Sequence, residues 1–230
     1  MKEQVVKSFA ELHTLLRSKY RGNFVWLFRG QANSEWRLLP KAGRPEFKNV
    51  PDLELFSAWC RRAVGFVDLP INEWQRLAMA QHYGLATRLL DWTANPLVAA
   101  YFAVSGNSET DSCIYCLHIA DNKLIDTEKD KIGGVDSIAR FIPSAYVGRI
   151  IGQSSTFTYH PRPQDILDDS IAGIELEKII VSPKNREEIL FDLNFYGINE
   201  TSLFPDVEGL SRHINWWSSY DNWKKHFTFS

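Results

Sequence analysis

The sequence predicts an α+β domain: a helix-rich N-terminal half around one buried central helix, packed on a mixed or antiparallel sheet. Three observations predict it. Stretches with helical periodicity come first in the chain, while most runs that read as strands come later, an order that argues against alternating parallel βα units. Residues 94–104 are almost wholly apolar, so a helix there must be buried on every side. The 230 residues are 44% apolar and 13% aromatic with eight Trp, enough for one full core.

In chain order, residues 5–20 place Val6, Phe9, Leu12, Leu15 and Leu16 at amphipathic spacing, predicting a helix. Residues 23–28 (Asn-Phe-Val-Trp-Leu-Phe) read as a strand interrupted by Arg29-Gly30. Residues 31–49 contain Pro40, Gly43 and Pro45 and read as irregular; so long a loop is usually functional or packed over a site. Two further helices are expected over 52–66 and 71–83, the second stopped by Gly84. Asn95-Pro96 then reads as an N-cap followed by proline at the first helical position. That opens the central helix; the whole 81–104 block reads as helical. A strand at 114–119 follows, then an exposed charged connection over 121–137. Strands are expected in the second half of 144–159 and at 174–181, with a loop between them. A helix over 185–196 ends at Gly197, and Leu203-Phe-Pro-Asp206 opens a last one. The 216–229 tail is aromatic and expected to be loosely structured.

A formal charge of −2 and a pI near 6.3 disfavour wholesale electrostatic binding to nucleic acid or anionic membrane. Arg61, Arg62, Arg76 and Arg149 remain as a local basic patch for a nucleic-acid alternative. No apolar run is long enough to span a bilayer, and the N-terminus lacks a signal peptide's apolar segment; a cytoplasmic protein without membrane contact is expected. Cys113-x-x-Cys116 has no second ligand pair and lies in a strand-like run. Small core residues are the favoured reading, and no metal site is expected.

Several residues are candidates for chemistry. Arg29 ends an apolar strand beside Gly30, with Gln31 on its own side of the strand. A guanidinium so placed can clasp a phosphate or carboxylate, or it can pair internally. Glu175 and Glu177 share a strand face, a pairing suited to acid–base work but common on solvated faces. Gln153-Ser-Ser-Thr156 clusters hydroxyls at a strand start, which alone is turn chemistry. His82 lies in the last turn before Gly84, where the helix dipole favours its charged form. Arg88 and Asp91 read either as a buried strut, with Thr87 and Thr93 as backbone caps, or as part of a site. His160 and His213 read as surface or packing residues.

The block Gln81-His-Tyr-Gly-Leu-Ala-Thr-Arg-Leu-Leu-Asp-Trp-Thr-Ala-Asn-Pro96, together with Phe28-Arg29-Gly30-Gln31, resembles the FRG domain, a bacterial and phage domain named for its (Phe/Tyr)-Arg-Gly motif. The resemblance spans residues 23–210, leaving 1–22 as an N-terminal helix and 211–230 as an aromatic tail packed on the domain. The order Arg, Ser/Thr, Glu-x-Glu is in turn similar to ADP-ribosyltransferases of the Arg-Ser-Glu type. That similarity implies NAD as substrate and a macromolecular acceptor, protein or nucleic acid, in toxin or phage-defence biology; NAD hydrolysis is the variant without acceptor. It implies Arg29, Glu177 and Glu175 in the chemistry, with Ser155 bracing the site. Read from their own positions, His82 is a further catalytic candidate, and Phe28, Gly30, Gln31, Thr156, Arg88 and Asp91 are candidates to line a nucleotide site. A non-catalytic recognition module is the rival class.

Overall fold

The computed structural model describes residues 1–21, 26–47, 49–106, 109–144 and 155–219. Lys2–Val6 (β1), Trp26–Gln31 (β2), Leu89–Thr93 (β3), Ser112–Ile119 (β4), Ala139–Phe141 (β5), Ser155–Tyr159 (β6) and Ile174–Val181 (β7) form one sheet in the order β1-β7-β4-β2-β3-β6-β5. β1 runs parallel to β7 and every other neighbouring pair is antiparallel. The architecture is therefore α+β with a mixed sheet, as the order of elements predicts. β4 lies inside the sheet, between β7 and β2, because its run of Cys, Ile, Tyr and Leu can be buried on both faces.

The helices are Phe9–Lys19 (α1), Asp52–Ala63 (α2), Glu73–His82 (α3), Pro96–Val104 (α4), Pro183–Phe195 (α5), Glu200–Leu203 (α6) and Val207–Ser218 (α7). Their starts follow local chemistry. The side chains of Ser8, Asn72, Asn95 and Asp206 each accept a backbone N–H of the first turn, as capping requires. α4 is the buried central helix: Val98, Ala99, Ala100, Tyr101, Ala103 and Val104 are all buried. It packs with α1 and α5 on one face of the sheet, over Phe28, Ile114, Cys116 and Ile179. The opposite face carries Leu27, Trp92, Cys113, Tyr115 and Leu117 beneath Leu38 and Leu167, which lie in the segments after β2 and β6. A third cluster joins α2 and α3 to β5 and β6 through Phe56, Trp74, Leu77, Phe141 and Tyr159.

Three expectations are corrected. Residues 1–22 are not only a helix: Val5 and Val6 belong to β1, registered on Ile180 and Val181. β1 is an edge strand exposed at four of its five positions, so the sequence there lacks the apolar alternation that marks a strand. The strand before Arg29 is not interrupted; it runs through Arg29 and Gly30 to Gln31. The 81–104 block is not helical throughout, because Gly84 at φ 92° ends α3 and Leu89–Thr93 is a strand inside the sheet. The tail is helical up to Ser218, while residues 220–230, together with Gln153 and Arg149, lie outside the described residues.

Candidate functional site

β2 and β3 share a single registered pair, Phe28 with Thr93. The next pair in an antiparallel ladder would be Arg29 with Trp92, then Gly30 with Asp91; neither forms, so the sheet splits there. Into the split opens a cleft of about 1320 Å³, lined by Phe28, Arg29, Gly30 and Gln31 of β2, by Leu90, Asp91, Trp92 and Thr93 of β3, by Gln81 and His82 of α3, and by Phe102 of α4. Trp36, Arg37, Lys41 and Arg44, from the segment after β2, also line it. The 31–49 loop thus borders the site, as its length suggests.

Arg29 reaches across the split. Its Nη1 donates to the Asp91 carbonyl at 3.0 Å and lies 3.6 Å from the Asp91 carboxylate. The guanidinium is only 16% exposed, and its Nε is buried with no hydrogen-bond partner among the described residues. Burial pulls its pKa below the ordinary arginine value, and Asp91 offsets this only in part. The Arg29 charge is thus under-compensated by its own protein, which favours an anion beside it. Asp91 is held from the other side: Gln81 Nε2 donates to its Oδ1 at 2.6 Å, and Thr87 donates to Gln81 Oε1. His82 stands in the last turn of α3, as expected, and lines the cleft.

Arg88 is elsewhere. It does not pair with Asp91 and does not line the cleft. Its Nε and Nη2 donate to the two carboxylate oxygens of Asp52 at 2.7 and 2.8 Å, and its Nη1 donates to Tyr159 Oη and the Pro161 carbonyl. The strut reading holds for Arg88, with α2 supplying the carboxylate. The alternation of β3 sets this: Arg88 leads inward, while the Asp91 side chain is 59% exposed.

The later carboxylates do not converge on Arg29. Glu177 is registered on Cys116, and Cys116 on Phe28, so Glu177 projects with Phe28 toward α1. Arg29 projects the opposite way, with Tyr115 and Lys178. The Glu177 side chain is 5% exposed, accepts from Tyr20 Oη at 2.6 Å and pairs with Lys19. Burial pushes its pKa up, but Lys19 and Tyr20 outweigh that and hold it below the ordinary carboxylate value. It is an ionised anchor for α1. Glu175 shares its strand face, as the two-residue spacing requires, and is likewise absent from the cleft. Thr156 is buried, donating to the Phe141 carbonyl at 3.0 Å; Ser155 is registered on Thr93. Thr156 does not line the cleft.

Cys113 and Cys116, three apart on β4, face opposite sides of the sheet and cannot share one ion. Burial pushes both thiols up to about 12. Among the described residues no cluster of His, Cys, Asp or Glu could hold a metal ion, and no helix is long and apolar enough to cross a membrane.

Of the surface and packing readings, packing holds for His160, which is fully buried. Its Nδ1 meets the Asp165 carbonyl at 3.0 Å, so Nδ1 carries the proton and Nε2 accepts from Thr158 Oγ1 at 3.2 Å. Thr158 accepts in turn from Trp92 Nε1 at 3.1 Å. Burial pushes the imidazole down to about 4, so the folded protein keeps it neutral where the unfolded chain, near pH 6.5, takes up a proton. Stability from this group is complete above pH 6.5 and falls as pH drops toward 4, by about 3 kcal/mol in all. Denaturant titrations at pH 7.5 and 4.5 should show the slope in the native protein and a flatter one in His160→Gln.

Gln81 opens the block that carries the family resemblance but is not among the sequence's site candidates: its place four residues after Leu77 on α3, next to His82, does not distinguish it from a surface glutamine. No curated protein and no solved structure matches the chain. The family model described as the FRG domain matches residues 25–112, which hold β2, the 31–49 loop, α2, α3, β3 and α4, and so most of the cleft wall. Over those residues, the chain is similar to the FRG domain.

Proposed function

We propose that the cleft binds NAD and breaks its nicotinamide–ribose bond, passing ADP-ribose to a macromolecular acceptor or to water. The observation that supports it is the under-compensated Arg29 guanidinium in a cleft large enough for a dinucleotide. Arg37, Lys41 and Arg44 add positive charge around it, and Trp36 and Phe102 supply apolar ring surface. Phosphates suit the former, and a base or nicotinamide ring suits the latter. A toxin or phage-defence role is the biology that such an activity, on an FRG domain, would serve. A second reading, recognition of a phosphorylated ligand without chemistry, is favoured by the placement of Glu175 and Glu177 away from the cleft.

Incubation of the protein with NAD and candidate acceptors, followed by nicotinamide release, separates the readings. Turnover is expected, with Arg29→Ala weakening NAD binding roughly 10- to 100-fold, the worth of one charge-assisted contact. Glu177→Gln is expected to retain the wild-type rate. Calorimetric binding of NAD without nicotinamide release would leave recognition alone, and no binding of NAD at all would end the NAD-cleaving reading.

A further inference from the structure

Glu177 is held by Tyr20 and Lys19 away from the cleft, so cleavage of NAD there needs another carboxylate beside the bond that breaks. We propose that Asp91 is that catalytic residue, and that Gln81 and Thr87 are the positioning residues that fix it. The inference rests on the NAD-cleaving reading of the cleft.

Three carboxylates line the cleft: Glu35, Glu46 and Asp91. All three are exposed, but neither Glu35 nor Glu46 accepts a side-chain hydrogen bond among the described residues. Asp91 differs. The Leu89 N–H donates to Thr87 Oγ1 at 3.2 Å, so the Thr87 hydroxyl proton is directed onward to Gln81 Oε1. That acceptor role fixes which end of the Gln81 amide points away, and Nε2 donates to Asp91 Oδ1 at 2.6 Å. Thr87 is 2% exposed, so the chain is anchored in the core. It leaves the second oxygen, Oδ2, 3.6 Å from Arg29 Nη1 and open to the cleft.

A carboxylate so held needs no reorganisation when charge develops near it. With the NAD pyrophosphate on Arg29, only one sugar separates the phosphate from the anomeric carbon, which places that carbon beside Asp91. The C–N bond breaks with its electron pair going to the pyridinium nitrogen, and neutral nicotinamide leaves. The positive charge passes to the anomeric carbon and ring oxygen, where the Asp91 carboxylate stabilises it. Water or an acceptor nucleophile then forms the new bond to that carbon and gives up its proton to solvent.

The test is steady-state nicotinamide release by the full chain with NAD. Asp91→Asn is expected to lower kcat 100- to 1000-fold while KM stays within about threefold. Gln81→Met and Thr87→Val are each expected to lower kcat about tenfold, and Thr87→Ser to restore it. Asp91 is more than half exposed, so Asp91→Asn should melt with the wild type. Asp91→Asn turning over NAD within threefold of wild type, or changing KM rather than kcat, overturns this assignment and leaves the NAD reading standing. Wild-type protein that releases no nicotinamide overturns both.

Discussion

Arg88→Ala is expected to destabilise the protein by about 3–5 kcal/mol, the cost of breaking a buried ion pair by removing one partner. Both partners are nearly sealed, with side-chain exposures of 8% for Arg88 and 10% for Asp52. Alanine would leave the Asp52 carboxylate buried in α2 without its two donors, and would also orphan the Tyr159 hydroxyl and the Pro161 carbonyl on one side. Lysine should not rescue, because an ammonium cannot supply the two-pronged contact to Asp52 together with those further bonds. A double replacement, Arg88→Met with Asp52→Leu, should recover most of the loss, since it removes the orphaned charge as well. Urea denaturation checks this: the midpoint should fall with the slope unchanged. A loss below 1 kcal/mol would mean that water reaches Asp52 freely.

The parts of this fold that the sequence shows are those whose signals are local. The Asn95 cap, Pro96 after it and the all-apolar α4 stand within ten residues of one another, and the Gly84 stop directly follows the helix it ends. The Arg88–Asp52 pair spans 36 residues, and no short-range pattern picks Asp52 from the other carboxylates; Asp91, three residues off, is the nearer but wrong partner. The same limit governs the site. Spacing on β7 correctly puts Glu175 and Glu177 on one face. Whether that face is Arg29's depends on the register of β7 on β4 and of β4 on β2. A slip of one residue in either ladder would reverse the answer, and nothing in the chain reports it. The sequence does offer Asp91 as a nucleotide-site residue, but a helical reading of 87–93 hides that it stands on a strand beside Arg29.

Gly30→Ala is expected to cost about 3 kcal/mol or more, the upper end for overpacking a filled core. The reason is space, not backbone conformation. A Cβ on Gly30 would lie 1.9 Å from the Ala99 carbonyl oxygen and 2.5 Å from the Ala103 nitrogen. Both are backbone atoms of α4, so no side chain can rotate away, and either the helix or β2 must move. Alternation along β2 explains the order of the Phe28-Arg29-Gly30 tripeptide. Phe28 and Gly30 project toward α4, Phe28 to fill and Gly30 to let the helix approach, while Arg29 between them takes the other side and turns into the split. Because Phe28, Gly30, Ala99 and Phe102 all line the cleft, a displaced α4 would deform the site that Arg29 serves. Gly30→Ala should therefore lose both melting temperature and NAD binding, whereas Arg29→Ala should lose binding and keep its fold. An alanine variant that melts with the wild type would mean that β2 and α4 do not approach as closely as described, and that the glycine serves the ligand rather than the helix.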